Sequence, residues 1–567
     1  MRPRAASFLV SAALGLAALL LAACQKPVPP RVIVLGVDGM DPGFVERHWA
    51  DLPNLDRLRH QGGFSPLATT TPPQSPVAWS TFITGLDPAE HGILDFVHRD
   101  PATRQPYLST ARTTGPRFTL PLGPYSLPLS GARIESLRKG KAFWETLDER
   151  GIPVTIIRIP ANYPPLHAGR EISGMGSPDL MGTQGTFSFY TDDPAEVTRS
   201  VPGGSIRKVE FANGHADLEL SGPPNPLRLD AATTTTRISV DVDSERAGAV
   251  LEVGGQRRIL MQGEWSEWIP VEFRLAGPFV KAKGMVRVFA QQLRGGFRVY
   301  VSPVNIDPLD PVLPISHPAS FAGEFGRFFT LGIPEDTAAL RQGIFTLPDF
   351  IGQIRLVLDG ERRMLRQSLD KFQGGFLFFY FSSVDQASHI LWARHDAELL
   401  EVYKAVDASI GEAMAREPSA KLIVMSDHGF TSFDRGVNLN AALSGTGASA
   451  MGLNGVYLDG ADSAAVQRRL LELRDPETGA QVVTTVSKGG KPGPDLIVGY
   501  APGYRASWRT GIGETSPSVF ETNADAWEAD HCVDAAAVPG ILVTNFGPIP
   551  PRQSLKTLSG LILGLFR

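Results

Sequence analysis

Leu422-Ile423-Val424-Met425-Ser426-Asp427-His428-Gly429-Phe430 is a stretch of strand length that turns abruptly from apolar to polar. A continuous apolar run predicts a strand buried on both faces, as in a parallel sheet covered by helices. Its end carries a carboxylate and an imidazole, and ligands of open α/β sheets gather at the C-terminal ends of strands. Neighbouring strand residues face opposite sides, so Asp427 and His428 share one ion only where the backbone turns; Gly429 permits that turn. An ordinary strand-to-loop junction looks the same in isolation. What separates the two readings is whether other stretches carry matching chemistry.

Three do. Residues 31–41, Arg-Val-Ile-Val-Leu-Gly-Val-Asp-Gly-Met-Asp, form a second buried strand that ends in Asp38 and Gly39. Residues 375–381 are almost wholly apolar and lead into Ser382-Ser383-Val384-Asp385-Gln386-Ala387-Ser388-His389. On a helix entering there, Asp385 and His389 are four apart, lie on one face and can hold one ion. Trp527-Glu528-Ala529-Asp530-His531-Cys532 precedes the last strong strand, residues 538–544, which makes His531 a candidate sixth ligand; the bland alternative is a structural histidine.

Residues 69–91 carry a different chemistry. A proline-rich loop reaches Ser75, and Pro76 suits the first position of a helix running toward Thr84 and Gly85. A hydroxyl at a helix N-terminus serves as a cap. The same place offers free N–H groups and a helix dipole that favour a phosphate held against the hydroxyl.

Strand, helix and strand recur along residues 31–62, 141–159 and 347–428, the order of an α/β domain. Residues 197–344 differ: short alternating runs at 206–210, 216–220, 238–242, 268–275 and 297–301 lie between Gly, Pro and Asn, the pattern of an inserted antiparallel β module. The catalytic body is thus expected as residues 31–196 and 345–567, with residues 305–333 packing back on it. Residues 95–139 show no clear period and read as a surface excursion. The glycine-rich residues 174–179 line a cleft or form a plain turn, and the apolar tail, 555–567, closes the fold or touches membrane.

At 567 residues, 43% hydrophobic and 20% charged, the chain is globular and large enough for more than one domain. A net charge of -5 gives no reason to expect a nucleic-acid polymer as partner. Arg2 and Arg4 precede an apolar run over residues 8–23 that has the layout of a secretory signal. It ends in Leu21-Ala22-Ala23-Cys24, which resembles a bacterial lipobox. That resemblance implies cleavage after residue 23, lipid on Cys24, and a tether over residues 24–30 holding the protein to a membrane facing the periplasm or cell exterior. Cys532 is then the one remaining thiol, so no disulfide framework exists.

Read together, Asp38, Ser75, Asp385, His389, Asp427, His428 and His531 resemble the alkaline phosphatase superfamily, in its type I phosphodiesterase and nucleotide pyrophosphatase branch. The resemblance runs from residue 31 to about residue 545, apart from the β insert. It implies an alkaline-phosphatase-like core with a mostly parallel sheet flanked by helices. It also implies two zinc ions, one held by Asp385, His389 and His531 and the other by Asp38, Asp427 and His428, with Ser75 as nucleophile. Manganese suits the same ligands. Three protein ligands per ion leave coordination open for a substrate oxygen. Four positive charges against three carboxylates leave the centre attractive to a phosphate ester. Many relatives carry threonine as nucleophile and asparagine three residues on, where this chain has Ser75 and Ala78. The sequence Ser75-Pro76-Val77-Ala78-Trp79 also lacks the Arg of the sulfatase maturation motif. The resemblance implies phosphodiester hydrolysis through a phosphoserine; a phosphomonoesterase, a head-group transferase, or a catalytically silent surface-binding lipoprotein are the alternatives.

Overall fold

The apolar runs form the inner strands of one eight-stranded sheet. The computed structural model describes residues 29–567 apart from Ser244 and Pro278; the expected signal and Cys24 lie outside the described residues. In chain order the strands are β1 (Arg31–Val37), β2 (Gly63–Leu67), β3 (Val154–Ile157), β4 (Arg170–Ile172), β5 (Ser316–His317), β6 (Gly375–Phe381), β7 (Lys421–Met425) and β8 (Gly540–Thr544). Their order across the sheet is β2-β8-β7-β1-β6-β3-β4-β5. The five central strands run parallel; β8 is antiparallel to both β2 and β7, and β5 to β4.

Strand alternation then builds two cores. Ile33, Leu35 and Val37 of β1 join Phe379 and Val424 on one face, whereas Val32 and Val34 join Phe378 and Ile423 on the other. Covering the first face are the helices α2 (Leu347–Lys371), α3 (Ser383–Leu391) and α4 (Asp396–Arg416); the second is covered by α1 (Ser75–Thr84) and α5 (Leu555–Gly564). Helix α5 buries Leu555, Leu558 and Ile562 against the core that holds Trp79 and Phe82, so the apolar tail closes the fold. Because β1, β6 and β7 are adjacent and parallel, the loops after Val37, Phe381 and Met425 emerge side by side. That adjacency is what gathers the site.

The region expected as an antiparallel β insert forms sheets that are antiparallel except where Gly204–Lys208 runs parallel to Phe187–Thr191, around their own core, which includes Leu218, Val240, Leu251 and Phe273. These sheets also recruit Phe187–Thr191, ahead of the expected start at residue 197, which pairs with both Gly204–Lys208 and Arg298–Val301. Ser316–His317, as β5, returns to the main sheet. Residues 95–139 hold three short ribbon pairs, such as Thr119–Leu122 with Tyr125–Pro128. The outermost ribbon leaves Phe118, Leu122 and Leu129 exposed. Among the described residues no helix is long and apolar enough to cross a membrane.

Candidate active site

Each of the six expected ligands sits in the first turn after a strand or on the helix it enters. Asp38 follows β1, Asp427 and His428 follow β7, and α3 carries Asp385 and His389 one turn apart on one face. His531 follows the short strand Ala529–Asp530. All six are buried, and they fall into two groups, Asp385 with His389 and His531, and Asp38 with Asp427 and His428. Within each group one ligand atom per residue lies within 4.8 Å of the others. The groups adjoin: the rings of His428 and His531 stack with centroids 3.6 Å apart and an interplanar angle of 9°. His428 Nε2 lies 3.2 Å from Asp427 Oδ2, 3.4 Å from Asp38 Oδ1 and 4.0 Å from Asp385 Oδ1.

Two glycines make this crowding possible. Gly39 has φ +65, and a Cβ there would meet a Phe430 ring carbon at 2.5 Å. The role of Gly429 differs from the expected turn, since its φ is not in the left-handed region. A Cβ at Gly429 would lie 2.4 Å from Asp41 Oδ2 and 2.7 Å from the Pro539 carbonyl. Glycine is needed there for close approach. Asp41 caps the helix Pro42–Arg47 through the Phe44 N–H and also accepts from the Phe430 N–H, so it braces the turn beside the ligands.

The histidines are oriented from behind. Nδ1 of His531 donates to the Pro73 carbonyl at 2.6 Å, that of His389 to the Ala529 carbonyl at 2.9 Å, and that of His428 to the Gly429 carbonyl at 3.3 Å. A carbonyl only accepts, so each ring carries its proton on Nδ1 and presents a lone pair on Nε2. Burial lowers all three imidazole pKa values, His389 to about 3, so the rings are neutral at ordinary pH. The carboxyls move the other way. Burial, then the charge of Asp38, pushes Asp385 and Asp427 well above the usual range, and burial also raises Asp38 itself.

Asp385 Oδ1 and Asp427 Oδ2 are buried without a hydrogen-bond partner among the described residues. Lone-pair nitrogens, orphaned carboxylate oxygens and repelling carboxyls make a donor set that fits divalent cations. Asp530, His531 and Cys532 form a third cluster, but Asp530 is ion-paired with Arg505 at 3.1 Å and burial holds the Cys532 thiol protonated.

Ser75 stands against the group of Asp38, Asp427 and His428. It is the first residue of α1, and Gln74 rather than Ser75 occupies the cap position. The Ser75 hydroxyl makes no cap bond; its Oγ lies 3.2 Å from His428 Nε2 and 3.4 Å from Asp38 Oδ1. The hydroxyl is therefore free of the capping role and aimed at the ligands. Gln74 is fixed in turn by donating to Asp95 and Asn454.

Several neighbours carry no sequence signal. The Tyr380 hydroxyl and Trp79 Nε1 both donate to Asp38 Oδ2. Tyr380 sits in an apolar strand and Trp79 in an apolar helix, where each reads as core. A cavity of about 250 Å3 opens beside Ser75 and is lined by Asp385, His389, His531, Met175, Arg505, Trp508 and Trp527 among others. Met175 places the glycine-rich residues 174–179 at this cleft. Glu90 and His91 stand apart: Glu90 completes a helix cap at Asp87, and His91 pairs with the Thr81 hydroxyl at 3.0 Å.

Paired carboxylate and imidazole groups at the strand ends of an α/β sheet, with a helix-start hydroxyl beside them, define a metal-dependent phosphoester hydrolase. The sequence profile described as Type I phosphodiesterase / nucleotide pyrophosphatase matches residues 32–212 and 337–512, more than half of the chain. The chain belongs to that family, within the alkaline phosphatase superfamily. Among solved structures, phosphonoacetate hydrolase from Sinorhizobium meliloti 1021 is similar at 12% identity and TM-score 0.47, over 95% of this chain and 97% of that one. Murine ectonucleotide pyrophosphatase / phosphodiesterase 5 is similar at 11% identity and TM-score 0.41, over 94% and 95%. No curated protein sequence matches the chain.

Proposed function

We propose that the chain hydrolyses phosphate diesters through a phosphoserine at Ser75, with zinc held by Asp385, His389 and His531 and by Asp38, Asp427 and His428. The observation that carries this reading is Ser75 Oγ, buried and within 3.4 Å of residues from the second ligand group while making no cap bond. Bound divalent ions would lower the hydroxyl pKa and stabilise charge on the departing oxygen.

Ser75 gives its proton to solvent and attacks phosphorus as its alkoxide. The Oγ–P bond forms as the bond from phosphorus to the first alcohol breaks, and that alcohol leaves with a proton from solvent. Water then attacks phosphorus from the same open cavity, the Oγ–P bond breaks, and Ser75 regains its proton as a phosphate monoester departs. The Ser75 position at the start of α1 puts the phosphoryl group at the positive end of the helix dipole, while the Val77 and Ala78 N–H groups are taken up by the Gln74 carbonyl. Trp79 and Tyr380 hold Asp38 in place, and the three backbone carbonyls hold the histidines, so little reorganisation is needed during attack. The proposal includes export and anchoring through lipid on Cys24.

The test compares hydrolysis of bis(p-nitrophenyl) phosphate with p-nitrophenyl phosphate by protein starting after Cys24 and loaded with zinc. Higher kcat/KM on the diester supports the proposal. A preference for the monoester would make the protein a phosphomonoesterase on the same site.

A further inference from the structure

The cavity beside Ser75 has a second wall that the hydrolytic steps leave unused. Arg505, on the strand Gly503–Ala506, is only 2% exposed. Its Nε donates to the Ala506 carbonyl at 3.1 Å. Nη1 lies 3.1 Å from Asp530 Oδ2 as an ion pair off the line of a good hydrogen bond, and Nη2 has no acceptor among the described residues. Trp527 Nε1 is a further buried donor without one.

Aromatic rings fix the guanidinium in this state: it lies 4.1 Å from the Trp508 ring centroid and 5.1 Å from that of Phe433. Arg341 covers Trp508 as well, at 3.8 Å, and Trp508 Nε1 donates to Asp525 at 3.0 Å. Arg341, Arg505, Trp508 and Trp527 line the same cavity as Ser75 and His531. Orphaned acceptors on Asp385 and Asp427 thus mark one side of the site, and orphaned donors on Arg505 and Trp527 mark another. Acceptors call for cations, and a buried guanidinium whose Nη1 faces Asp530 while Nη2 has no acceptor leaves one donor edge for an oxyanion.

Ser75 stands against the group of Asp38, Asp427 and His428, whereas Arg505 reaches the other group through Asp530, the neighbour of His531. The two therefore meet a bound ester from different sides. The remaining walls include Phe96, Met175 and Leu453, which suit carbon rather than charge. At about 250 Å3 the space admits a small substituent.

We propose that Arg505 and Trp527 form an anion-recognition subsite, so that the preferred substrate is a phosphate ester whose small organic substituent carries a second oxyanion. The oxyanion is a carboxylate or a phosphate. This rests on the hydrolase reading above and adds to it the substrate class.

Three diesters sharing a p-nitrophenolate leaving group test it: methyl, 2-carboxyethyl and 2-phosphoethyl p-nitrophenyl phosphate. With zinc-loaded protein, one charged ester is expected to exceed the methyl ester in kcat/KM by about tenfold or more, since a hydrogen bond to a charged group is worth about one to two decades. Whether the carboxylate or the phosphate wins identifies the oxyanion. In Arg505→Met that ratio should fall toward one, chiefly through KM, and Arg505→Lys should restore part of it. Equal rates on all three esters, or an unchanged ratio in Arg505→Met, overturn the subsite.

Calorimetric titration of the Ser75→Ala protein with the same esters separates the two readings. If no ester is hydrolysed but the charged one binds at least about tenfold tighter in an Arg505-dependent way, the subsite stands and the hydrolase reading fails. Equal binding of all three overturns the subsite whatever the rates.

Discussion

Tyr380→Phe removes one hydroxyl from a buried strand and, on the two-zinc reading, should loosen one ion and spare the other. Asp38 Oδ2 receives two donors, the Tyr380 hydroxyl and Trp79 Nε1, and the substitution leaves only the second, at 3.2 Å. A hydrogen bond to a charged group is worth about 1.5–3 kcal/mol, or about one to two decades of affinity. That agrees with the roughly 10–100-fold loss that follows removal of a partner behind a metal ligand. Asp385, His389 and His531 receive no hydrogen bond from Tyr380, so the loss should fall on the group containing Asp38 alone.

The pH dependence follows the same bond. Burial raises the Asp38 carboxyl, and Tyr380 is the largest of the partners that oppose the rise. A ligand must shed its proton to bind metal, so the pH of half-loading should move up in the variant. Zinc competition against a chromophoric chelator, run across pH, would resolve one weakened and one unaltered site. Equal weakening of both, or of neither, would refute the argument that Tyr380 acts through Asp38.

Three further outcomes follow. Gly429→Ala should lower stability by about 1–3 kcal/mol, because its Cβ would lie 2.4 Å from Asp41 Oδ2 and 2.7 Å from the Pro539 carbonyl; thermal melting would report it as a lower Tm. Glu335, buried beside Glu361, has its carboxyl pushed up to about 7 by burial and then by the Glu361 charge. A proton held more tightly in the folded chain stabilises the fold fully below the ordinary carboxyl range, and that support is lost as pH rises through about 7. Glu335→Gln should therefore flatten the decline of Tm with rising pH in that window; an identical slope would show that Glu335 does not titrate there. Cys24→Ala should move the full chain from the membrane fraction to the soluble fraction, whereas retention on membranes would exclude the lipid anchor.

Much of the site is legible in the sequence because buried parallel strands leave no room for polarity until they end. Asp38, Asp427 and His428 stand out for that reason alone, and helical spacing links Asp385 to His389. What escapes is polarity placed inside apolar runs. Tyr380 is one hydroxyl in Gly375–Phe381, and its bond to Asp38 depends on the pairing of β1 with β6, two strands 344 positions apart at Arg31 and Gly375. Arg505 lies in a short strand with no motif, and its aromatic neighbours come from a strand (Phe433), the start of a short helix (Trp508) and a loop (Trp527). The ribbons in residues 95–139 are missed because strands of three or four residues, interrupted by Pro and Thr, are too short to show a period. The role of Gly429 is missed because close approach by Asp41 is a tertiary fact, whereas a turn is a local one.

Covalent catalysis by Ser75 is the centre of the account, and rapid acid quench tests it most directly. Zinc-loaded protein mixed with bis(p-nitrophenyl) phosphate and quenched during turnover should yield a peptide containing Ser75 with the added mass of a p-nitrophenyl phosphoryl group. The adduct should be missing from Ser75→Ala, which should retain both zinc ions and lose turnover. A Ser75→Ala protein that hydrolyses the diester at the wild-type rate would contradict the account.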